Sequence, residues 1–142
     1  MIIITGGTHG IGRATAGVLA SAGHRVLIAG RDVAAGQAAA GAIDGATFMR
    51  ADISQEADCK ALVHKALDLG EGRIRGLVNN AGIGRRHSFG KTSVEDWDLI
   101  MRVNARSVYL MTRLALDGLI ATGGSVVNVA SIAGKAGEEE LA

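Results

Sequence analysis

The fold is decided at residues 1–12, which read Met-Ile-Ile-Ile-Thr-Gly-Gly-Thr-His-Gly-Ile-Gly. The apolar run at Ile2–Ile4 lacks polar alternation, which is typical of a strand buried on both faces. The glycines after it predict a tight turn, and the alanine-rich stretch that follows has helical spacing. One face of that predicted helix would carry Ile11, Ala14, Thr15, Val18 and Leu19. A buried strand, a glycine-rich turn and a helix predict the start of a parallel α/β sheet.

The rest of the chain repeats this alternation of strands and helices. Strands are predicted at Ile2–Ile4, Arg25–Ala29, Thr47–Arg50, Ile74–Val78 and Ser125–Val129. Helices are predicted at Ile11–Ala22, Val33–Ile43, Ser54–Leu69, around Trp97, and from Leu99 to Leu119 with a break near Asn104. Right-handed crossovers between such units predict a doubly wound parallel sheet of strand order 3-2-1-4-5. Ligands of such a sheet bind at the carboxyl ends of the strands, here between the first and fourth.

Two serines are predicted to begin helices. Ser54 is placed as the N-cap of the third helix, with Glu56 in its first turn. Ser93, followed three residues later by Asp96, resembles a capping box for the helix that contains Trp97. Both interpretations rest on the hydroxyl oxygen accepting a hydrogen bond from a backbone N–H of the first turn.

Composition favours one globular domain over residues 1–142, with 48% hydrophobic and 20% charged residues. The net charge of +1 gives no reason to expect nucleic acid or an anionic membrane as a partner. The opening apolar run is too short for a signal peptide or a membrane span. Cys59 has no partner for an internal disulfide, and the histidines lack metal-ligand spacing. We therefore expect a cytoplasmic protein without a metal site.

The glycine-rich turn has the properties of a phosphate-binding loop. Gly6 permits the tight turn, Gly10 lets the backbone approach a pyrophosphate, and Gly12 lets the helix pack closely against the strand. The helix N-terminus adds unpaired N–H groups and the positive end of the helix dipole. A glycine-rich turn is a weak signal alone, but its place between a strand and a helix makes a dinucleotide site the favoured interpretation.

The spacing Gly-x-x-x-Gly-x-Gly with the leading Thr5 resembles the short-chain dehydrogenase/reductase family. Three further segments carry the resemblance, namely Asn79-Asn80-Ala81-Gly82, Val103-Asn104-Ala105 and Val129-Ala130-Ser131-Ile132-Ala133-Gly134. The resemblance spans the whole chain but only about the first half to three-fifths of a typical member. It implies a Rossmann-like fold and an NAD(P)-dependent oxidoreductase that interconverts a secondary alcohol and a ketone.

The resemblance also implies which residues bind the cofactor. They are Gly6, Thr8, His9, Gly10, Ile11 and Gly12 in the first turn, Arg31 after the second strand, Asp52 and Ile53 after the third, and Asn80, Ala81 and Gly82 after the fourth. In the family the pair at Asp52 and Ile53 binds adenine, the carboxylate accepting from the exocyclic amine. Asp52 also reads as the start of a turn into the third helix, and both roles are compatible. Asn79 is expected to tie adjacent strands together.

The end of the second strand bears on the choice between NAD and NADP. An acidic residue there accepts from the ribose 2′-OH, whereas a basic one pairs with a 2′-phosphate. The acidic position of the family is Gly30 here, and Arg31 follows it. His9 stands where NADP-preferring members often have a basic residue. We expect NADP(H) to be favoured, with Asp32 the counter-argument because its carboxylate could reach the ribose.

The catalytic residues implied by the resemblance are Ser131, which would bind the substrate oxygen, and Asn104, which would position a water. The family's proton-transferring tyrosine and its lysine, in Tyr-x-x-x-Lys, follow the serine by about thirteen residues and would fall just beyond Ala142. Tyr109 is too early and is expected in the core, and Lys135 is too close to the serine. We therefore expect a shortened family member that is inactive by itself.

Three functions remain open from the sequence. The favoured one is an enzyme, expected to act on a small-molecule alcohol or ketone as a homodimer or homotetramer, since the family's long helix commonly pairs with its twin. The alternative is a non-catalytic nucleotide-binding or interaction protein that lacks the tyrosine and lysine. A methyltransferase is disfavoured because the second strand does not end in an acidic residue.

Overall fold

A five-stranded parallel sheet organises the chain in the computed structural model, which describes residues 1–84 and 88–132. The strands are β1 (Ile2–Thr5), β2 (Val26–Gly30), β3 (Ala46–Arg50), β4 (Gly76–Asn79) and β5 (Ser125–Asn128). The helices are α1 (Gly10–Ser21), α2 (Val33–Gly41), α3 (Glu56–Leu69), α4 (Val94–Met101) and α5 (Ser107–Ile120), with a 3-10 turn at Phe89–Lys91 and a π-helical turn at Arg102–Arg106. The strand order is β3-β2-β1-β4-β5, so the predicted topology is confirmed.

The central strand β1 joins the two halves of the sheet. It pairs in parallel with β2 on one side and with β4 on the other, and all of its residues are buried. Successive side chains point to opposite faces, so Ile3 packs into the core under α3 and α5, whereas Ile4 packs into the core under α1 and α2. A continuous β-branched run is what a strand covered on both faces requires.

The prediction for the buried face of α1 is wrong for Ile11 and Val18, whereas Leu19 is half-buried and packs against the core. Ile11 and Val18 are 66% and 70% exposed, while the buried residues of the helix are Gly12 and Ala16. The turn before α1 decides this orientation, because the helix must press its smallest residue, Gly12, against the backbone of Gly6. The close approach of α1 to the turn after β1 therefore outweighs the burial of the Ile11 and Val18 side chains.

The two predicted helix caps have different outcomes. Ser93 Oγ accepts a hydrogen bond from the Asp96 N–H at 3.1 Å, which confirms it as the cap of α4. The Ser54 prediction is wrong, because α3 begins at Glu56 and Gln55 occupies the N-cap position without a side-chain bond. Ser54 is instead buried, and its N–H donates to Asp52 Oδ1 at 3.0 Å. Asp52 thus forms a turn that ends at Gln55, immediately before α3 begins at Glu56.

The break expected near Asn104 is a π-helical turn between α4 and α5. It keeps the two helices continuous while adding a residue to one turn. Beyond it, α5 buries Met111, Ala115 and Leu119 against the sheet. Tyr109, expected in the core, is 63% exposed, so that prediction is wrong. None of the helices within the described residues is long and apolar enough to cross a membrane.

Two helical glycines provide a test of this packing. A β-carbon on Gly36 in α2 would meet the ring of Phe48 on β3, whereas one on Gly17 in α1 would meet nothing within 4 Å. We expect Gly36→Ala to lower the free energy of unfolding by about 1–3 kcal/mol through overpacking. Gly17→Ala is the matched control and should raise it by about 0.5–1 kcal/mol, because alanine restricts the unfolded chain. Urea denaturation measures both, and equal effects of one sign would contradict the packing of α2.

Candidate functional site

A cleft of about 470 Å³ lies at the carboxyl ends of the strands, where the order reverses between β1 and β4. Its walls come from the end of β2, from the segments that follow β1, β2, β3 and β4, from Val103 in the π-helical turn, and from Val129 after β5. This is the place where an open parallel sheet of this order binds its ligands. The cleft therefore lies at the predicted position.

The structure brings most of the predicted cofactor residues together around this cleft. Those that line it are Gly6, Thr8, His9, Gly10, Ile11, Arg31, Asp52, Ile53, Asn80, Ala81 and Gly82. Gly12 does not line it but packs beneath it, where a β-carbon would meet the Gly6 carbonyl oxygen and Asn80 Nδ2. Asn104 and Ser131 are not among the lining residues, and Lys135 lies outside the described part of the chain.

The turn between β1 and α1 leaves a helix N-terminus without a capping side chain. Gly6 and Gly10 adopt positive φ angles of 65° and 55°, conformations that glycine adopts without strain. His9 occupies the N-cap position of α1 but makes no side-chain capping bond, and the first turn has no acidic residue. The first N–H groups and the positive end of the helix dipole therefore remain available to an anion at the cleft.

Thr5 and Asn80 join the turn after β1 to the segment after β4. Thr5 Oγ1 accepts hydrogen bonds from the N–H groups of Asn80 and Ala81, both at 3.1 Å. In return, Asn80 Nδ2 donates to the carbonyl oxygens of Thr5 at 3.0 Å and Gly6 at 3.1 Å. Sequence reasoning did not assign this role to Thr5. The available signal was a hydroxyl residue at the end of an otherwise apolar buried strand.

Two further asparagines hold the segments around the cleft. Asn79 Nδ2 donates to Asn128 Oδ1 at 2.8 Å, which confirms that Asn79 ties adjacent strands, here β4 and β5. Asn104, in the π-helical turn, brackets the backbone of Ile83. Its Nδ2 donates to the Ile83 carbonyl at 2.7 Å, and its Oδ1 accepts from the Ile83 N–H at 2.9 Å. Asn104 therefore fixes the segment that follows Gly82, and its catalytic role stays a prediction.

The residues after β2 form the rim on which the cofactor choice depends. A β-carbon on Gly30 would lie 2.7 Å from Thr8 Cγ2, so a side chain at this position requires Thr8 to move. Asp32 caps α2, its Oδ1 accepting from the Ala35 N–H at 2.9 Å. His9 Nδ1 lies 2.7 Å from Thr8 Oγ1, which fixes the imidazole beside the cleft. Arg31 is exposed at the rim.

Asp52 lies at the cleft and also forms the turn into α3. It lines the cleft, and its Oδ1 accepts from the Ser54 N–H while its carbonyl oxygen accepts from the Gln55 N–H at 2.9 Å. The residue thus forms the turn into α3 and still presents a carboxylate to the cleft. Both interpretations made from the sequence are compatible with this geometry.

With this geometry in place, comparison with known proteins identifies the family. The family model described as short chain dehydrogenase matches residues 1–142. The chain belongs to the short-chain dehydrogenase family. Its members are oxidoreductases that bind NAD(P).

Similar short-chain dehydrogenases include curated enzymes and solved structures. A 2,5-dichloro-2,5-cyclohexadiene-1,4-diol dehydrogenase of Sphingobium indicum is 39% identical over 96% of this chain and 56% of its own. The NADP-dependent (R)-specific alcohol dehydrogenase of Lentilactobacillus kefiri is 35% identical over 98% and 57%. A solved short chain dehydrogenase/reductase family protein aligns with a TM-score of 0.90 at 35% identity, covering 98% of this chain and 58% of that one. The chain thus spans little more than half the length of these relatives.

The Thr5 hydroxyl provides a test of how the site is held together. Thr5→Val keeps the shape but leaves the N–H groups of Asn80 and Ala81 without their acceptor. We expect the free energy of unfolding to fall by about 1–3 kcal/mol for each N–H left unsatisfied. Thr5→Ser is the matched control, which keeps the oxygen and removes one methyl group, worth about 1 kcal/mol. If denaturation showed an equal loss for both variants, the hydroxyl would not be the joining group.

Proposed function

We propose that this chain forms the dinucleotide site of an NADP(H)-dependent oxidoreductase that interconverts a secondary alcohol and a ketone. The observation that carries the proposal is the cleft at the β1–β4 switch point, which combines the uncapped N-terminus of α1 with glycines at its closest approaches. The residues present fit a dinucleotide, because Gly6 and Gly10 line the cleft without side chains and Gly12 lets α1 pack closely beneath it. Membership in the short-chain dehydrogenase family supports the reaction class.

Each part of a dinucleotide has a matching group around the cleft. The pyrophosphate would be held by the first N–H groups of α1. The adenine would be read by Asp52 and Ile53, and the segment from Asn80 to Gly82 would lie beside a ribose. The bound cofactor supplies the hydride, while the polypeptide orients it and excludes water. These assignments support a cofactor extended across the carboxyl ends of β3, β2, β1 and β4.

Preference for NADP(H) is supported by the rim after β2. Gly30 offers no carboxylate to a ribose 2′-OH, and the Thr8 methyl group leaves no room for one without rearrangement. The carboxylate of Asp32, the counter-argument from the sequence, has one oxygen engaged in capping α2. Arg31 lines the cleft with His9 beside it, and its guanidinium is suited to a 2′-phosphate. A related alcohol dehydrogenase of 35% identity is named as NADP-dependent.

For the chemical step, we propose that Ser131 binds the substrate oxygen and that Asn104 positions a water in the proton relay. The resemblance assigns these roles, and Asn104 is hydrogen-bonded to Ile83, a residue that lines the cleft. Residues 1–142 contain one tyrosine, Tyr109, which lies on α5 far before the proton-transfer position. The groups that residues 1–142 supply are therefore ones that bind and orient the cofactor and the substrate.

We also propose that the protein is a homo-oligomer that pairs through α5. This helix exposes Tyr109, Leu116 and Ile120, which follow one another at helical spacing and are 63%, 44% and 69% exposed. Apolar residues at such spacing on one face are typical of a surface that packs against another helix. A second copy of the chain is the partner that family resemblance implies.

The cofactor preference can be tested at Arg31. Removing its guanidinium in Arg31→Ala should weaken NADPH binding by about 1.5–3 kcal/mol, the value of a hydrogen bond to a charged group. NADH has no 2′-phosphate, so its affinity should change little. Arg73→Ala is the matched control, an exposed arginine at the opposite end of the sheet. Isothermal titration calorimetry gives both dissociation constants, and equal losses for the two cofactors would contradict the preference.

The second test concerns turnover by the 142-residue polypeptide. We expect it to bind NADPH but to reduce no ketone and oxidise no alcohol, because it has no tyrosine at the proton-transfer position. Absorbance of the reduced nicotinamide measures turnover, and mass spectrometry confirms the length of the polypeptide. Cofactor-dependent turnover by material of this mass would refute the expectation.

A non-catalytic nucleotide-binding protein is the alternative to the oxidoreductase. The residues encoded after Ala142 distinguish the two candidates. A tyrosine about two positions on, followed by a lysine four residues later, supports the oxidoreductase. A stop codon in the transcript supports the non-catalytic protein.

A further inference from the structure

The first turn of α3 holds the backbone of Asp52 and Ile53 at two points. Asp58 Oδ2 accepts a hydrogen bond from the Asp52 N–H at 2.7 Å. The next residue, Cys59, donates from its Sγ to the Ile53 carbonyl oxygen at 3.3 Å. Two adjacent residues of one helix therefore bind the two ends of the dipeptide that lines the cleft.

These bonds determine which polar groups of the dipeptide stay available. The Asp52 N–H, its Oδ1 and its carbonyl oxygen are engaged by Asp58, Ser54 and Gln55. Within the described residues, Asp52 Oδ2 and the Ile53 N–H have no hydrogen-bond partner in the protein. One acceptor and one donor are thus left on neighbouring residues that line the cleft. This is the pattern that complements a 6-aminopurine, which offers its amine as a donor and N1 as an acceptor.

Burial keeps the Cys59 thiol protonated, so it can donate to the Ile53 carbonyl oxygen. The side chain is fully buried, and burial is the main cause that raises the pKa of its thiol to about 11. The nearby carboxylate of Asp58 raises this pKa further, whereas the guanidinium of Arg106 opposes the shift. The thiol therefore keeps its proton at neutral pH and can donate to the Ile53 carbonyl. Because it is buried, it acts as an anchor and not as a reactive group.

The position of Asp58 in the helix suits a carboxylate. It lies in the first turn of α3 with Glu56, where the helix dipole favours a carboxylate. Glu56 is occupied elsewhere, since its oxygens pair with Lys60 and Arg106, both at 2.9 Å. Asp58 is thus the acidic residue of this turn that serves the cleft-lining loop, and Glu56 ties α3 to the π-helical turn.

We propose that Asp58 and Cys59 are positioning residues for purine recognition, and that they make the site selective for adenine over hypoxanthine. This proposal rests on the proposed dinucleotide-binding function. Asp58 and Cys59 do not touch the base but hold the Asp52–Ile53 peptide in the orientation that presents one acceptor and one donor. Without Asp58 and Cys59 the Asp52–Ile53 peptide can rotate, and its acceptor and donor no longer face the amine and N1 of adenine.

The test compares NADPH with its reduced hypoxanthine analogue, in which a carbonyl replaces the 6-amino group and N1 carries a hydrogen. Both complementary groups are reversed in the analogue, so the intact chain should bind NADPH about tenfold more tightly. Asp58→Ala and Cys59→Ala should each reduce this preference to about twofold or less, mainly by weakening NADPH. Calorimetric titration of each variant with both dinucleotides gives the ratio.

Conservative variants separate positioning from general support of the fold. Asp58→Asn keeps an oxygen acceptor and Cys59→Ser keeps a donor, so both should retain most of the preference. Asp68→Ala, an exposed position near the end of the same helix, is the matched control and should leave the ratio unchanged. A purely structural role would lower the affinity for both dinucleotides equally, and that result would overturn the proposal. Circular dichroism melts identify any variant that fails to fold, in which case the preference measured for the other alanine variant decides the outcome, because each residue holds the same dipeptide.

The outcomes separate this proposal from the proposed function. If the intact chain binds NADPH but does not distinguish adenine from hypoxanthine, the positioning proposal is wrong and the dinucleotide site stands. If the intact chain binds neither dinucleotide, the proposed function itself fails. If the intact chain prefers NADPH and both alanine variants keep the same ratio of affinities for NADPH and the analogue, Asp52 and Ile53 recognise adenine without help from α3. That result also overturns the proposal.

Discussion

The reciprocal hydrogen bonding between Thr5 and Asn80 is the constraint on which the cleft depends. The carboxyl ends of β1 and β4 lie side by side, and the chain leaves each strand toward a different layer of helices. At such a point the backbone can no longer continue the sheet ladder, so its polar groups need other partners. The Thr5 hydroxyl accepts two N–H groups from beyond β4, and the Asn80 amide serves two carbonyls from the turn after β1. Two side chains thus complete the sheet where its backbone bonds stop.

This junction explains why glycine is required where it occurs. With Asn80 held against Gly6, a β-carbon on Gly6 would lie 2.9 Å from Asn80 Nδ2 and from the Ala81 Cα. Gly12 is constrained from the helix side by the same Asn80 Nδ2 and by the Gly6 carbonyl oxygen. The absence of side chains lets α1 approach the sheet edge-on with its first N–H groups exposed to the cleft. The uncapped N-terminus of α1 at the cleft is therefore a product of close packing, and Ile11 and Val18 stay exposed as a result.

The far side of the cleft is built differently, by side chains acting on backbone. The loop after β3 has no glycine-rich turn and is held by α3, through Asp58 and Cys59, and by its own Asp52. The Glu56–Arg106 pair connects the same helix turn to the π-helical turn that carries Asn104. Both ends of that ion pair are substantially exposed, so it contributes little to stability by itself. Its consequence is geometric, because it links α3, which holds the loop after β3, to the π-helical turn, which holds the segment after β4.

The sequence by itself determined the strand order and the place of the cleft. It could do so because these follow from local signals, namely apolar β-branched runs, helical spacing and a glycine-rich turn at the end of the first strand. It also predicted that Asn79 ties two strands and that Ser93 caps a helix. Each of these follows from a residue type in a defined local setting.

Only the tertiary structure decided the contacts between distant segments. The buried face of α1 was set by Gly6 and Asn80, which lie outside the helix. Tyr109 is exposed because α5 turns Met111, Ala115 and Leu119 toward the sheet instead. Ser54 lost the cap position because Asp52 formed a turn before it. The roles of Thr5, Asp58 and Cys59 depend on which backbone groups the fold leaves unpaired nearby. That is a property of packing, and neither periodicity nor spacing encodes it.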